Sequence, residues 1–477
     1  MHQAYELNAR VWRTERAQEL GRSATLDDLS DDFLDQLGEN GFTWLYLFGL
    51  WPTGPQSLAV SRADKQLKSY LSSVLPGFTE DDICGSPLAV SGYTVSEDLG
   101  GDAALARLRD RARAAGLSLM LDFIPNHVGL DHPWAVERPD FFVQGSESAL
   151  AAKPEAWTRV NGRILAHARD PFFPAWRNTL QLDYANPAVH AAVVEEAASV
   201  SARCDGLRCD LAMLLLPDVF AATWGRTAPA FWSDCLAKVR SRHPGTVFMA
   251  EVYWNREYEL QQAGFDFTYD KILYDRLLSG DAESIRAHLR ASIDYQRRCV
   301  RFLENHNEQR AAARFQNPDH HRGALFVTGM VPGMLLSHHG QEDGRVIHAS
   351  LPCRRRAAEP GSPAHVQAHH DLLLLLGESA RQHGTWQLLA PRDGGGVIAC
   401  LWQQPAHHSL LVTVNASWQP CNSVLDTAPL AGRDCQISDY LTNGTPVNHS
   451  CDQLQREGLR IQLPPWGTKV FRILPQR

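Results

Sequence analysis

GDAALARLRDRARAAGLSLMLDFIPNH, residues 101–127, holds one complete structural unit. Asp102 can cap a helix whose Leu105, Leu108 and Ala112 fall on one face, because residues three and four apart stack along one side. Gly116 offers a left-handed stop. Leu117-Ser118-Leu119-Met120-Leu121 then reads as a short apolar strand, and the chain turns polar at its far end with Asp122, Asn126 and His127.

The same order of helix, stop, strand and polar strand end returns outward from this unit. Asn186-Pro187 opens a helix with Val189, Val193, Ala197 and Val200 on one face, and Leu207 to Asp210 is its strand. A helix from Phe231 to Arg242 stops at Pro244-Gly245 before Val247 to Ala250. One from Asp281 to Arg297 leads into Val300 to Leu303. Phe42 to Leu50, Leu88 to Val95, Phe265 to Thr268 and Leu325 to Leu336 bring the expected strands to eight. Alternating helices and strands imply parallel strands with helices outside, and eight strands predict a (β/α)8 TIM barrel of the α/β class. The rival, a doubly wound open sheet, lacks its glycine-rich dinucleotide turn.

Between Val128 and Gln181 the periodicity breaks into Trp, Pro, Asp and Phe, including Pro171-Phe172-Phe173-Pro174. That stretch reads as a loop domain inserted after strand three. Beyond Asp371 the period becomes two, as in Leu410 to Val414 and Lys469 to Ile473, which predicts a C-terminal antiparallel β-sandwich. The expected organisation is a barrel over 1–127 and 186–370, an insertion over 128–185 and a sandwich over 371–477.

Composition narrows the function. The 477 residues carry 46 Lys plus Arg against 54 Asp plus Glu, a formal charge of −8, with no basic block to track phosphates, so nucleic acid is not an expected partner. The longest aliphatic run, Leu372 to Leu376, is far below the ~20 apolar residues of a membrane span. Ten cysteines show no CxxC pair, and the first residues carry no charged and apolar leader, so the expectation is free thiols in a reducing cytoplasm.

The polar strand ends carry the chemistry. Arg208 and Asp210 are two apart, so both leave one face of an extended strand, and the guanidinium favours the ionised carboxylate. Glu251 leaves the next strand in Ala250-Glu251-Val252-Tyr253-Trp254, where an apolar, aromatic setting would raise its pKa and suit a general acid. One ionised and one protonated carboxyl on adjacent strands are what cleavage of a glycosidic bond requires.

Taken in order, these segments resemble the short motifs of the α-amylase family of glycoside hydrolases. Asp122 to His127 resembles its first motif, Gly206 to Asp210 its second, Glu251 to Trp254 its third and Phe302-Leu303-Glu304-Asn305-His306 its fourth. Gln181-Leu182-Asp183 looks like the auxiliary motif that closes the loop domain. The resemblance implies Asp210 as nucleophile and Glu251 as acid/base. It implies Arg208, His127 and His306 as holders of the sugar hydroxyls, with Tyr93 as the aromatic platform beneath the ring. The implied partner is an α-linked oligosaccharide or glucoside. No cofactor is needed for the chemistry, while Asn126 resembles a position that binds structural calcium in some members.

Two departures stand out. Asn307 occupies the place of the family's third catalytic aspartate, which supports the positive charge of the transition state, so Glu304 or Glu308 becomes the neighbouring acid that could take over. Ala212-Met213-Leu214-Leu215-Leu216 is apolar where many starch-degrading members carry Lys or His. The reading is a retaining α-glycosidase or transglycosylase weakened by Asn307. An amylase-fold protein that binds carbohydrate or a partner without turnover, and a sugar isomerase, remain open beside it.

Overall fold

The computed structural model describes residues 2–315, 317–404, 407–430 and 434–476. Eight strands form a closed barrel: β1 (Gln3–Asn8), β2 (Trp44–Phe48), β3 (Ser118–Phe123), β4 (Gly206–Cys209), β5 (Val247–Ala250), β6 (Phe267–Tyr269), β7 (Cys299–Arg301) and β8 (Met334–His338). Pairing is parallel from β1 through β6 and between β7 and β8. The chain divides into two compact units, Ala4–Tyr269 with Ile347–Ala358, and Met1–Gln3 with Asp270–Val346 and Glu359–Arg477. The second unit carries β7, β8 and the C-terminal sheet.

The αβ rhythm is confirmed where sequence signals are local. Pro187–Ser201 is a helix whose N-cap Asn186 accepts a hydrogen bond from Ala188 N, with Val189, Val193, Ala197 and Val200 buried. Trp232–Arg242 precedes β5 as expected. Four local readings are corrected. Leu88 to Val95 is not a barrel strand but a loop with one isolated bridge, Thr53 to Val90, while the first strand is Gln3–Asn8. Every residue of Gln3–Asn8 is buried, Gln3, Glu6 and Asn8 included, so its polar residues hid a fully enclosed strand. Leu325 to Met330 belongs to the helix Pro318–Met330, and the strand starts at Met334, since apolar residues fit a buried helix as well as a buried strand. Asp102 does not cap its helix, because its carboxylate accepts from Val95 N at 2.9 Å while Gly100 takes the cap position. The single helix expected from Asp281 breaks into Ala282–Leu289 and Ile293–Arg297.

The chain after β3 is an ordered excursion. His127–Gly129 pairs antiparallel with Thr179–Gln181, closing it at the base, and Trp157–Val160 forms a hairpin with Arg163–Ala166. In the C-terminal part, six antiparallel strands lie in the spatial order Thr385–Leu389, Val397–Gln403, Ser409–Asn415, Thr468–Pro475, Cys435–Asp439 and Val447–His449. A two-stranded pair, Cys421–Leu425 with Leu459–Leu463, packs on one face around Val397, Ala399, Leu401, Leu411, Ile461 and Leu463. Val397–Gln403 and Ser409–Asn415 are buried almost throughout because the other face meets helices, as where Trp402 Nε1 donates to Met330 O at 2.8 Å. Among the described residues no helix is long and apolar enough to cross a membrane, and all ten cysteines are free thiols.

Candidate active site

Parallel register lifts successive strand ends to a common level. β4 pairs Arg208 with Asp122 of β3 on one side and with Met249 of β5 on the other. Asp122, Arg208, Asp210 and Glu251 therefore emerge together, from segments that lie far apart along the chain.

Arg208 is the hub. Its Nη1 lies 2.8 Å from Asp210 Oδ1 and 3.4 Å from Asp122 Oδ1, and its Nη2 lies 2.7 Å from Glu251 Oε2. All four side chains are buried. Burial alone would lower the pKa of Arg208, but the charge of Glu251, then Tyr46, Tyr269 and Asp210, outweighs it and raises the pKa well above the guanidinium range. Tyr46 OH donates to Asp122 Oδ1 at 2.6 Å, so Asp122 is held from both sides.

Glu251 differs from the sequence expectation of an apolar pocket. Besides Arg208 it accepts from Leu211 N at 2.9 Å and from Tyr253 OH at 2.8 Å. Burial, followed by the neighbouring Glu251 charge, raises the Tyr253 phenol well above its usual range, which keeps it a donor. Three donors on one carboxylate favour its ionised form. The difference arises because Arg208 comes from the adjacent strand, which no reading of residues 247–254 alone contains.

The two carboxylate loops are locally strained. Leu211, directly after Asp210, has φ 41°, and Trp254 and Asn255 have φ 64° and 60°. Left-handed backbone at a non-glycine residue costs on the order of 1–3 kcal/mol and persists where surrounding bonds over-determine it. Here Ala212 N donates to Glu251 O at 2.9 Å and Trp232 Nε1 to Ala212 O at 2.8 Å, tying the apolar 212–216 segment, buried throughout, to the β5 end.

The remaining expected residues have definite places. Tyr93 is buried, its hydroxyl donating to Ile124 O at 3.1 Å and accepting from Ile124 N at 3.0 Å, its ring edge-on to Trp51 at 5.3 Å. Burial lowers the His127 pKa to about 4, so its imidazole is neutral, and its ring lies 5.3 Å from Trp176. Asn126 is paired with the Gln181 amide, whose Nε2 donates to Asn126 Oδ1 at 3.0 Å. Among the described residues no trio of His, Cys, Asp or Glu is disposed to hold a metal ion.

His306 and Asn307 belong to the second compact unit, on the loop after β7, where His306 is buried and Asn307 exposed. Asn305 Oδ1 accepts from Asn307 N at 2.9 Å and from Glu308 N at 3.0 Å. Glu304 is ion-paired with Arg310 at 2.9 Å and accepts from Ala311 N. Burial, against the pull of Lys271 3.6 Å away, raises the Glu308 pKa.

Sequence reading passed over one group, the aromatics Phe172, Phe173 and Trp254. Phe172 and Phe173 are 69% and 67% exposed, their amides held by Asp170 Oδ1 at 2.6 and 2.8 Å, and the Phe172 ring sits 5.0 Å from Trp254, three residues beyond Glu251. Two phenylalanines bracketed by prolines were the available signal.

Fold and site together define a (β/α)8-barrel protein in which strand-end carboxylates share one buried guanidinium. Residues 90–359, more than half of the chain, match the family described as "Alpha amylase, catalytic domain". The chain belongs to the α-amylase family. Among curated relatives it is 29% identical over 264 residues to an α-1,4-glucan:maltose-1-phosphate maltosyltransferase from Burkholderia pseudomallei, covering 53% of this chain and 20% of that protein. It is 24% identical over 267 residues to α-amylase MalA from Haloarcula japonica, covering 53% and 35%. The match thus spans well under two thirds of those relatives. In fold it is similar to a noncanonic maltogenic α-amylase, AmyB, from Thermotoga neapolitana, at TM-score 0.70 and 19% identity over 100% of this chain and 99% of that one. It is also similar to an α-amylase from Lactobacillus plantarum, at TM-score 0.68 and 20% identity, covering 99% and 98%.

Proposed function

We propose that the chain is a retaining α-glycosidase or transglycosylase acting on α-glucans or α-glucosides. The observation that carries the reading is the single buried guanidinium of Arg208 bound to both Asp210 and Glu251. Two carboxylates on nitrogens of one guanidinium favour the short separation of a retaining pair, ~5–5.5 Å, over the wider gap of an inverting one.

In this reading an Asp210 oxygen attacks the anomeric carbon while the glycosidic C–O bond breaks, and Glu251 gives its proton to the leaving oxygen. Water or a sugar hydroxyl then attacks the glycosyl-enzyme, Glu251 takes its proton, and Asp210 is released. Glu251 must first be protonated, which its three donors oppose. Substrate binding that draws Arg208 toward Asp210 alone removes a cation from Glu251, coupling occupancy to acid function. Neutral His127, with His306, serves as a hydrogen-bonding partner for hydroxyls, and Tyr93 braces the sugar face. Phe172 and Trp254, beside the acid/base loop, offer an aromatic surface to the leaving-group side. Asn307 stands in the motif order where the family's third carboxylate is expected, and an amide there brings no charge, which weakens turnover. The ten free thiols are in keeping with a cytoplasmic enzyme.

The test is product analysis with maltose, malto-oligosaccharides, starch, sucrose and trehalose, extended to maltose 1-phosphate because one relative is named for that donor. Proton NMR should find the α-anomer formed first. A first-formed β-anomer overturns retention, and sugar binding without turnover moves the assignment to a carbohydrate-binding barrel.

A further inference from the structure

A small cavity of about 170 Å³ opens beside the residues that follow β1 and β2, within the first compact unit. Arg10 and Arg13 reach it from the helix Ala9–Leu20, Arg354 from the 347–358 segment, and Asp98, Ser96 and Thr53 complete its polar lining. Pockets for drug-sized ligands run ~300–1,000 Å³, so this one suits a compact group better than an oligosaccharide.

Its charge is unbalanced. Arg10 donates to Gly49 O at 3.1 Å, Gly85 O at 2.7 Å, Trp51 O at 2.8 Å and Thr53 Oγ1 at 3.0 Å, all neutral acceptors. Arg13 donates to Ala24 O at 3.1 Å and meets Asp98 at 3.4 Å, a carboxylate 68% exposed and therefore weakly paired. Arg354 is the informative one of three consecutive arginines. Arg355 clasps Asp82 at 2.6 Å and Arg356 clasps Glu15 at 2.5 Å, whereas the Arg354 side chain makes no hydrogen bond or ion pair among the described residues. Arg354 feels Asp82 only through the field, since Arg355 and Thr79 N occupy that carboxylate. The Ser96 hydroxyl likewise has no partner among the described residues. Three guanidinium groups against one carboxylate leave a net charge of +2 around the cavity.

We propose that this cavity binds a phosphoryl group, either inorganic phosphate or the phosphate end of a sugar phosphate. A phosphate monoester carries about −1.5 to −2 charges at neutral pH and matches the surplus. Guanidinium forks present paired donors to its oxygens, which a neutral sugar does not need and a chloride ion cannot use. Arg10, locked by four neutral acceptors, is the preorganised wall. Arg13 and Arg354 are the groups that close on the anion, and Ser96 Oγ adds one donor.

The test is calorimetric titration of the full chain at constant ionic strength with inorganic phosphate, glucose 1-phosphate, glucose and sodium chloride. Arg354→Ala and Arg13→Gln are compared with the parent, and thermal melts without ligand check that both remain folded. The expected result is saturable one-to-one binding of phosphate, glucose 1-phosphate or both, weakened on the order of tenfold or more by each substitution, with no response to glucose or chloride. Tighter binding of glucose 1-phosphate than of inorganic phosphate identifies a sugar phosphate as the occupant, and the reverse identifies the free ion. Absence of saturable binding, an equal response to chloride, or unchanged affinity in both folded variants overturns the proposal. The readout is binding, so a failed glycosidase assay leaves it untouched.

Discussion

Two regions of this chain bury carboxylates against arginine and use them differently. After β4 and β5, Asp210 and Glu251 each take one terminal nitrogen of Arg208, so one cation serves two carboxylates. After β7, Glu304 pairs with Arg310 at 2.9 Å and accepts from Ala311 N with its other oxygen, while Arg310 also donates to His339 O at 3.2 Å. A guanidinium shared by two carboxylates links two strand ends, whereas the Glu304–Arg310 pair, tied to backbone at Ala311 and His339, is a brace. Burial and an arginine partner therefore do not by themselves make a carboxylate reactive. The brace also shapes the loop bearing Asn307, which follows Glu304 by three residues.

The contrast is broken most sharply at Asp210. Asp210→Asn should cut kcat by on the order of 10⁵–10⁶, as loss of a nucleophile does in other covalent mechanisms. Steady-state rates on the best substrate found, with a melt to show the fold is kept, check this. Retention of more than a hundredth of the activity would remove Asp210 from the nucleophile's role.

Glu304→Gln tests the brace. It leaves the buried Arg310 without its counter-charge and should cost ~3–5 kcal/mol of stability by urea denaturation, with kcat of the folded fraction nearly unchanged. A loss of kcat with stability intact would put Glu304 in the chemistry.

At Asn307 the two regions differ in solvent as well as charge, since Asn307 is exposed while Asp210 and Glu251 are buried. If substrate covers it, Asn307→Asp should raise kcat on the order of 10²–10³, or ~3–4 kcal/mol, with little change in KM. A gain below tenfold means the position stays wet during reaction, and a loss means the site has adjusted to the amide.

His127 sharpens the comparison through pH. Burial holds its native pKa at about 4 against 6.5 in the unfolded chain. Between those values the unfolded state binds the proton and the native state does not, so stability rises with pH across the window. The His127 contribution is complete above pH 6.5 and falls by about 3 kcal/mol as pH drops to 4. Denaturation at pH 7 and pH 4.5 should show this loss in the parent and a smaller one in His127→Gln.

The smallest effect is expected at Asn305, whose side chain caps Asn307 N and Glu308 N. Asn305→Ala should cost about 1 kcal/mol, read from the denaturation midpoint, and a null effect would mean that Glu304 and Arg310 suffice to hold the loop.

How legible each part was follows from the range of the forces involved. Asn186-Pro187 with its apolar stripe and the polar ends of β3, β4 and β5 could be read directly, because caps, periodicity and alternation act within four residues of chain. Gln3–Asn8 could not, since Glu6 is buried near Tyr46 and Tyr269, whose pKa values it helps raise, and only barrel closure hides so polar a strand. Leu88 to Val95 misled for the opposite reason. Val90, Tyr93 and Val95 are buried as a strand's would be, but under a loop whose Tyr93 hydroxyl is fastened to Ile124.

The order of residues by itself determined the barrel, the inserted excursion, the family and the identity of Asp210, Glu251 and Asn307 as the residues to question. It also determined that Arg208 would meet Asp210, because two residues apart on a strand share a face. Only the tertiary structure decided that Arg208 also holds Glu251, that Glu304 is spent on Arg310, and that Arg354 stands without the carboxylate its two neighbours have. Those outcomes rest on charges brought together through space by parallel register and loop packing, and Coulomb attraction depends on distance in space rather than on separation along the chain.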